Sequence, residues 1–279
     1  MKFTKIGKNI KIETFDSVRE FTRVCAARPV NKSFSRRCQS SKTGGKGFTG
    51  TENWEEAQNL LATGYKDGCK DLLNCKTGVT VANELSRPKV TKSYAGYAPC
   101  VPAAIMGMPK TMYHKTKVIS KQPVINLYYD CGVNCCISTE TMTRGGKNLY
   151  SLINYLDKHG IRVNLFLLVG IYSQGNFAYL TIKAKNSDTP INPQLISYPL
   201  IHPSFFRRHV FNWIETSNCT DYVSFTHGYG YNVRDEFSNI RAKLQEAKIL
   251  NDESYYINVQ ESARLESIED MLLTTGIKL

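Results

Sequence analysis

Apolar positions recur along this chain with two different periods, and the change of period marks out its elements. Residues 123–168 carry the clearest succession. Val124, Ile125, Leu127, Tyr128 and Tyr129 form a nearly continuous apolar run; residues 144–159 place Leu149, Leu152, Ile153 and Leu156 on one helical face and end at Gly160; residues 161–169 are apolar again. Strand, helix and strand in that order make a βαβ unit, and near-continuous apolar strands belong to a sheet covered on both faces. Residues 177–185 read as a third strand, reached through the short turn Gln174-Gly175-Asn176. A turn that short demands an antiparallel neighbour, because a parallel one needs a crossover.

Upstream the pattern is helical and weaker. Ser17-Val18-Arg19-Glu20 has the spacing of a capping box, after which Val18, Phe21 and Val24 or Cys25 share a face. Residues 31–50 have no apolar period and read as a flexible basic loop. Thr51 caps a helix bearing Trp54, Ala57, Leu60 and Leu61, with Gly64 at its end. Short helices are expected at 66–73 and 79–85, then a Pro, Gly and Tyr-rich connection over 88–109. Downstream, residues 203–216 form an amphipathic helix with Phe206, Val210 and Trp213 or Ile214 inward and Arg207-Arg208 exposed. Residues 224–232 are a Tyr-rich loop or hairpin, and helices at 234–250 and 263–275 flank a strand at 255–259.

The fold class that follows is α/β: a sheet covered on both faces with one antiparallel strand over residues 118–279, preceded by a small, basic, mostly helical region over residues 1–117. With 279 residues, 42% of them apolar, the chain can bury a substantial core, which excludes disorder throughout. The longest apolar stretch, residues 161–172, is about half the roughly 20 residues of a membrane helix and is interrupted by Arg162, Asn164 and Gly170. Nine cysteines are too few for a disulfide scaffold, and no apolar signal region follows Met1, so free thiols in a reducing cytoplasm are expected.

Charge sharpens this picture through its distribution. Of the net +12, residues 1–50 supply +9, whereas residues 251–279 carry −4. A basic arm on a nearly neutral body suits phosphate binding, or self-association through opposite ends. The candidate phosphate contacts are Arg28, Lys32, Arg36, Arg37, Lys42 and Lys46, with Arg207 and Arg208 as a second patch.

Candidate chemistry is sparse. Cys131, Cys135 and Cys136 are close enough to suggest zinc, but no second pair or well-placed His pair completes a site, and buried thiols are the commoner case. Cys69 and Cys75 read the same way. Thiol catalysis would need one of His114, His159, His202, His209 or His227 folded against Cys131, while His202 and His209 look like surface or capping residues. Gly44-Gly45-Lys46-Gly47 and Gly145-Gly146-Lys147 both lack the first glycine and the hydroxyl residue of a phosphate loop. The second cluster, with Arg144 and Lys147, opens a helix and could hold an anion. Asp130 ends the first strand, where open α/β sheets place ligands, and reads as a helix or turn cap or as an acid/base group. Tyr222, Phe225, Tyr229 and Tyr231 beside His227 make either a stacking platform or core-packed tyrosines.

Several short stretches resemble a family of uncharacterised tailed-bacteriophage proteins: Phe48-Thr49-Gly50-Thr51 before Trp54-Glu55-Glu56-Ala57 and Gly64, Val101-Pro102 before Met106-Gly107-Met108-Pro109 and Met112, Arg144-Gly145-Gly146, and residues 201–208. The body also resembles von Willebrand A-type domains, which implies a Rossmann-like three-layer sheet with one antiparallel edge strand and a first strand that ends in Asp-x-Ser-x-Ser. Asp130, Gly132 and Asn134 occupy those positions here, so both hydroxyl ligands are lost and magnesium is not expected. These resemblances imply a phage accessory protein in the host cytoplasm, with virion association left open and neither metal nor cofactor. The leading expectation is non-sequence-specific nucleic-acid contact through the basic arm. The alternative is a module for a host or phage protein, contacted through Asp130, Asn134, Arg144 and Lys147. A hydrolase or transferase built on Asp130 with Cys131 or a histidine is third.

Overall fold

The computed structural model describes residues 1–32, 34, 39–74, 89–116, 123–133, 137–221, 229 and 231–277. The chain opens with a hairpin of β1 (Lys2–Ile6) and β2 (Ile10–Phe15), turning at Gly7, whose φ of 61° is costly for any residue with a Cβ. Helix α1 (Val18–Ala27) starts at Ser17, which accepts from the Glu20 amide as the capping pattern predicts. Then follow α2 (Ser40–Thr43), α3 (Lys46–Thr49), α4 (Trp54–Thr63) and α5 (Lys66–Leu73). The cap of α4 is Asn53 rather than Thr51, and Gly64 ends it with a positive φ. The predicted helix at 79–85 lies outside the described residues.

A small sheet comes next: β3 (Lys89–Ser93), β4 (Ala98–Pro99) and β5 (Met112–Thr116), with α6 (Val101–Ile105) between the last two. The sequence reading, which saw only a connection over most of this stretch, missed it. The βαβ unit is present as β6 (Val124–Asp130), α7 (Thr139–Lys158) and β7 (Arg162–Ser173), followed by β8 (Asn176–Lys185). Gln174 and Gly175 both have positive φ, the twist that a two-residue hairpin turn requires. Helix α8 (Pro193–Ile201) leads to a π-helical segment, Phe205–Val210, continuous with α9 (Phe211–Thr216). The rest comprises β9 (Tyr231–Asn232), α10 (Val233–Glu236), α11 (Ile240–Glu246), β10 (Ser254–Asn258), α12 (Val259–Arg264) and α13 (Ile268–Thr275).

The main sheet has the order β1-β2-β8-β7-β6-β10, with β9 added to β7. β7, β6 and β10 are mutually parallel; β8 runs antiparallel to β7 and parallel to β2. The result is a mixed α/β fold consistent with a Rossmann-like arrangement. Two expectations are corrected. The antiparallel strand β8 is interior rather than at an edge, because β2 pairs with it through Ile10–Phe15 against Phe177–Ile182. Residues 2–15, assigned by sequence to a helical N-terminal region, are strands of the same sheet as the 118–279 body.

Alternation along the strands builds two cores. Leu127, Tyr129, Leu165 and Leu167 face the larger one, shared with α7, α8 and α9; Tyr128, Leu168 and Tyr179 face a smaller one closed by Leu244, Ile249 and Leu250. Gly145 and Gly146, expected at a helix start, lie in the second turn of α7, whose first residue is Thr139. A Cβ on Gly146 would stand 2.5 Å from both Ile201 Cγ2 and the Leu200 carbonyl, and one on Gly145 would stand 2.7 Å from the Val259 carbonyl. The pair lets α7 approach α8 and α12; it does not cradle an anion. Among the described residues no helix is long and apolar enough to cross a membrane.

Candidate functional site

Three of the eight predicted phosphate contacts, Arg28, Arg207 and Arg208, are committed to the fold. Arg28 grips Glu13 with two 3.0 Å bonds, and the buried Glu13 also accepts from Trp213 Nε1 at 2.8 Å. The expectation that Arg207 and Arg208 are exposed is overturned. The π-helical turn breaks the 3.6-residue phase, and residues 41–51 cover the face that a regular helix would have left in water. Arg207 donates to the carbonyls of Phe48 and Ile137. Arg208, fully buried, spends all its donors on the segment above it: Nε on Thr51 Oγ1 at 2.6 Å, and its two terminal nitrogens on the carbonyls of Ser41, Lys42, Gly44 and Thr51 at 2.9–3.5 Å.

The expected flexible loop is therefore held in place where it is described. Glu215 reinforces it, accepting from the Ser41 amide and hydroxyl and from Tyr229 at 2.6 Å, and Asn31 donates to the carbonyls of Glu215 and Ser217. Phe34 is buried against Tyr229. Lys46 pairs with Glu52 at 2.8 Å, whereas Lys32 and Lys42 are exposed. Arg36 and Arg37 lie outside the described residues. His209, expected at the surface, is buried beside Trp54 and Phe205, and burial lowers its pKa to about 4. His202 does act as a local cap, accepting from the Ser204 amide.

Asp130 ends β6 at the point where the chain departs through α7 to β7 on one side and pairs with β10 on the other. Such reversals in strand order are where open α/β sheets form crevices. Its carboxylate is nevertheless enclosed: Oδ1 accepts from the Gly132 amide at 2.9 Å, Oδ2 accepts from Tyr256 at 3.0 Å, and Arg234 Nη1 stands 3.8 Å from Oδ2. Desolvation raises the Asp130 pKa, with the Arg234 charge working against it. The Arg234 side chain is largely buried, and among the described residues its three nitrogens have no hydrogen-bond partner, with longer ion pairs to Asp130 and Asp235. Asp130 is thus an internal ion, unavailable as the partner contact that the sequence suggested. Asn134, Cys135 and Cys136 lie outside the described residues, as do Tyr222, Phe225 and His227.

The neighbours of Asp130 add little chemistry. Cys131 is buried, its thiol directed at the Leu168 carbonyl and its pKa pushed far up by desolvation, the opposite of an activated nucleophile. Arg144 stands 3.7 Å from Glu266, and Lys147 pairs with Asp71 at 3.0 Å. No group of three His, Cys, Asp or Glu suited to a metal occurs among the described residues.

The small sheet β3-β5-β4 is different in kind. Lys92 pairs across the ladder with Tyr113, which also pairs with Ala98, while Val90 pairs with Lys115. Directly opposed residues share a face, and so do residues two apart on one strand, so Lys92, Tyr113 and Lys115 lie on one side. Tyr97 joins them: Lys115 Nζ lies 4.7 Å from its ring centre, and its amide donates to the Tyr113 carbonyl. Gly96 allows this close turn, since a Cβ there would collide with the Tyr113 carbonyl. Tyr94, 72% exposed, has Lys110 Nζ 5.9 Å from its ring centre. Sequence reasoning missed this face, although a signal existed: residues 85–129 contain seven Lys or Arg and no Asp or Glu.

No curated protein and no solved structure matches the chain. A family match spans residues 4–278, nearly its whole length, and on that basis the chain belongs to the family described as Domain of unknown function (DUF7192).

Proposed function

We propose that this protein acts by binding single-stranded nucleic acid, with little sequence preference, through the basic and aromatic face of the β3-β5-β4 sheet. The observation that carries the reading is the set Lys92, Tyr97, Tyr113 and Lys115 on one face, with exposed Tyr94 and Lys110 beside it, in a stretch free of acidic residues. Unpaired bases stack on tyrosine rings while lysines meet the phosphates, and neither contact depends on base identity. The basic arm and the second patch that charge counting favoured are poorer interfaces, because Arg28 of the arm and Arg207 and Arg208 of the patch hold the fold together. The resemblance of residues 45–215 to tailed-phage proteins supplies the setting, and the loss of hydroxyl ligands after Asp130 favours a von Willebrand A-like body that works without magnesium.

The test is fluorescence anisotropy of labelled oligo(dT), oligo(U) and duplex DNA, titrated across salt. The expected result is tighter binding of single strands, weakening steeply with salt, with Tyr97→Ala losing about 1–3 kcal/mol and Lys92→Ala/Lys115→Ala flattening the salt slope. Equal affinity in these variants, or none in the parent at low salt, refutes the reading. One feature favours a second reading, a protein partner: Val101, Ile105 and Met106 of and beside α6 are each more than half exposed. That partner would be lost on Ile105→Ser and insensitive to Tyr97→Ala.

A further inference from the structure

A broad cleft lies away from both the Asp130 crevice and the small sheet. It opens between α1, α4 and α8, over the end of β8, with a volume of about 820 Å³. That is within the range of small-molecule sites and far larger than a packing defect. Its walls include Val18, Leu61, Ile191, Leu195 and Ile196, and Leu195 is 55% exposed although its neighbour Ile196 is buried in the core.

The charged residues of the lining are strongly unequal in sign. Among the described residues of the lining Asp16 is the one acid, against Arg19, Arg23, Lys183 and Lys185. Lys185 is committed to Asp157 at 3.3 Å, and Lys183 lies over the Phe166 ring. Arg19 and Arg23 remain as exposed cations, four residues apart on α1 and therefore on one face of it. An apolar trough with two guanidinium groups along one wall matches a molecule with the converse layout. The apolar part is removed from water along α4 and α8, and the anionic head meets Arg19 and Arg23 at the rim.

We infer that the α1-α4-α8 cleft binds a small amphiphilic anion, an apolar body carrying one carboxylate, sulfonate or phosphate. The inference is independent of the nucleic-acid reading, since it uses none of the same residues. The probe is 1-anilinonaphthalene-8-sulfonate, followed by fluorescence on the full chain, with displacement by dodecanoate, dodecyl phosphate, dodecanol and dodecyltrimethylammonium. The expected result is one saturable site per chain, displaced by the two anions and at least tenfold more weakly by the alcohol and the cation, which separates head charge from chain burial.

Arg19→Ala/Arg23→Ala should weaken dodecanoate about tenfold or more while leaving dodecanol unchanged. Leu195→Trp, which fills the trough from an exposed position, should abolish saturable binding with circular dichroism and thermal midpoint preserved. Ile105→Ser on α6, away from the cleft, serves as the control and should leave binding intact. Equal displacement by all four amphiphiles, or loss of probe binding in Ile105→Ser with retention in Leu195→Trp, would overturn the assignment. Either result leaves the oligonucleotide experiment unaffected.

Discussion

Replacing Arg208 tests the claim that a residue expected at a nucleic-acid interface is an internal clamp. In Arg208→Met the apolar stem still fits against the π-helical turn, but the carbonyls of Ser41, Lys42, Gly44 and Thr51, together with the Thr51 hydroxyl, lose their donor. Each buried group left without a partner costs about 1–3 kcal/mol. Removing the guanidinium also removes its own desolvation cost, so the net loss is smaller than the sum, about 3–5 kcal/mol. Arg208→Lys keeps the charge but offers three donors from a single point, which cannot span carbonyls spread from Ser41 to Thr51, and should lose about half as much. Urea unfolding followed by circular dichroism and by the fluorescence of Trp54 and Trp213 measures both. On oligonucleotide, the folded Arg208→Met protein should bind like the parent. Stability within about 1 kcal/mol of the parent, or binding lost while the fold is retained, would refute the clamp.

Three further outcomes are expected. His209, with a pKa near 4 in the folded chain against 6.5 when free, takes up its proton more readily unfolded; its contribution is complete above about pH 6.5 and is lost as pH falls towards 4, by roughly 3 kcal/mol. Asp130, Asp157 and Glu215 have raised pKa values and oppose this, favouring the fold below their unfolded values and losing that contribution as pH rises, so the readout is a shallower fall in stability between pH 7 and 5 for His209→Gln than for the parent. Gly146→Ala should destabilise by about 1–3 kcal/mol, because the α8 backbone leaves no room for a methyl group; an unchanged urea midpoint would contradict the close approach. Asp130→Asn should cost about 3–5 kcal/mol by stranding Arg234, with most of that recovered in Asp130→Asn/Arg234→Met; additive losses in the double variant would mean that the two are not paired.

What could be read from the sequence was what local periodicity determines. The βαβ unit from Val124 to Ser173, the turn at Gln174-Gly175 and the start of α1 at Ser17 each follow from a handful of adjacent residues. What escaped depends on distant partners. The strand β2 went unread, and nothing in Ile10–Phe15 indicates pairing with Phe177–Ile182, the pairing that moves β8 inward. Arg207 and Arg208 were misplaced because a π-helical turn shifts the phase of a face and because the cover, residues 41–51, arrives from more than 150 residues upstream. Asp130 was correctly found at a strand end, but Tyr256 and Arg234, which decide its role, lie more than 100 residues away. The basic small sheet was legible in charge and was passed over because the net charge was compared between the two ends of the chain.

The N-terminal hairpin has a consequence for how the protein is made. Residues 2–15 leave the ribosome well before β8, and the strand against which β2 lies is complete only when Lys185 has been added. At 5–20 residues per second, the bare edge of β2, with Ile12 and Phe15 destined for burial, waits about 10–30 s for its neighbour. During that interval Lys2, Lys5, Lys8 and Lys11 give the nascent hairpin a positive charge that discourages pairing with a second nascent chain. Closure of the sheet is therefore a long-range event in synthesis, and a chain halted before Phe177 emerges would leave β2 without the neighbour it is shaped for.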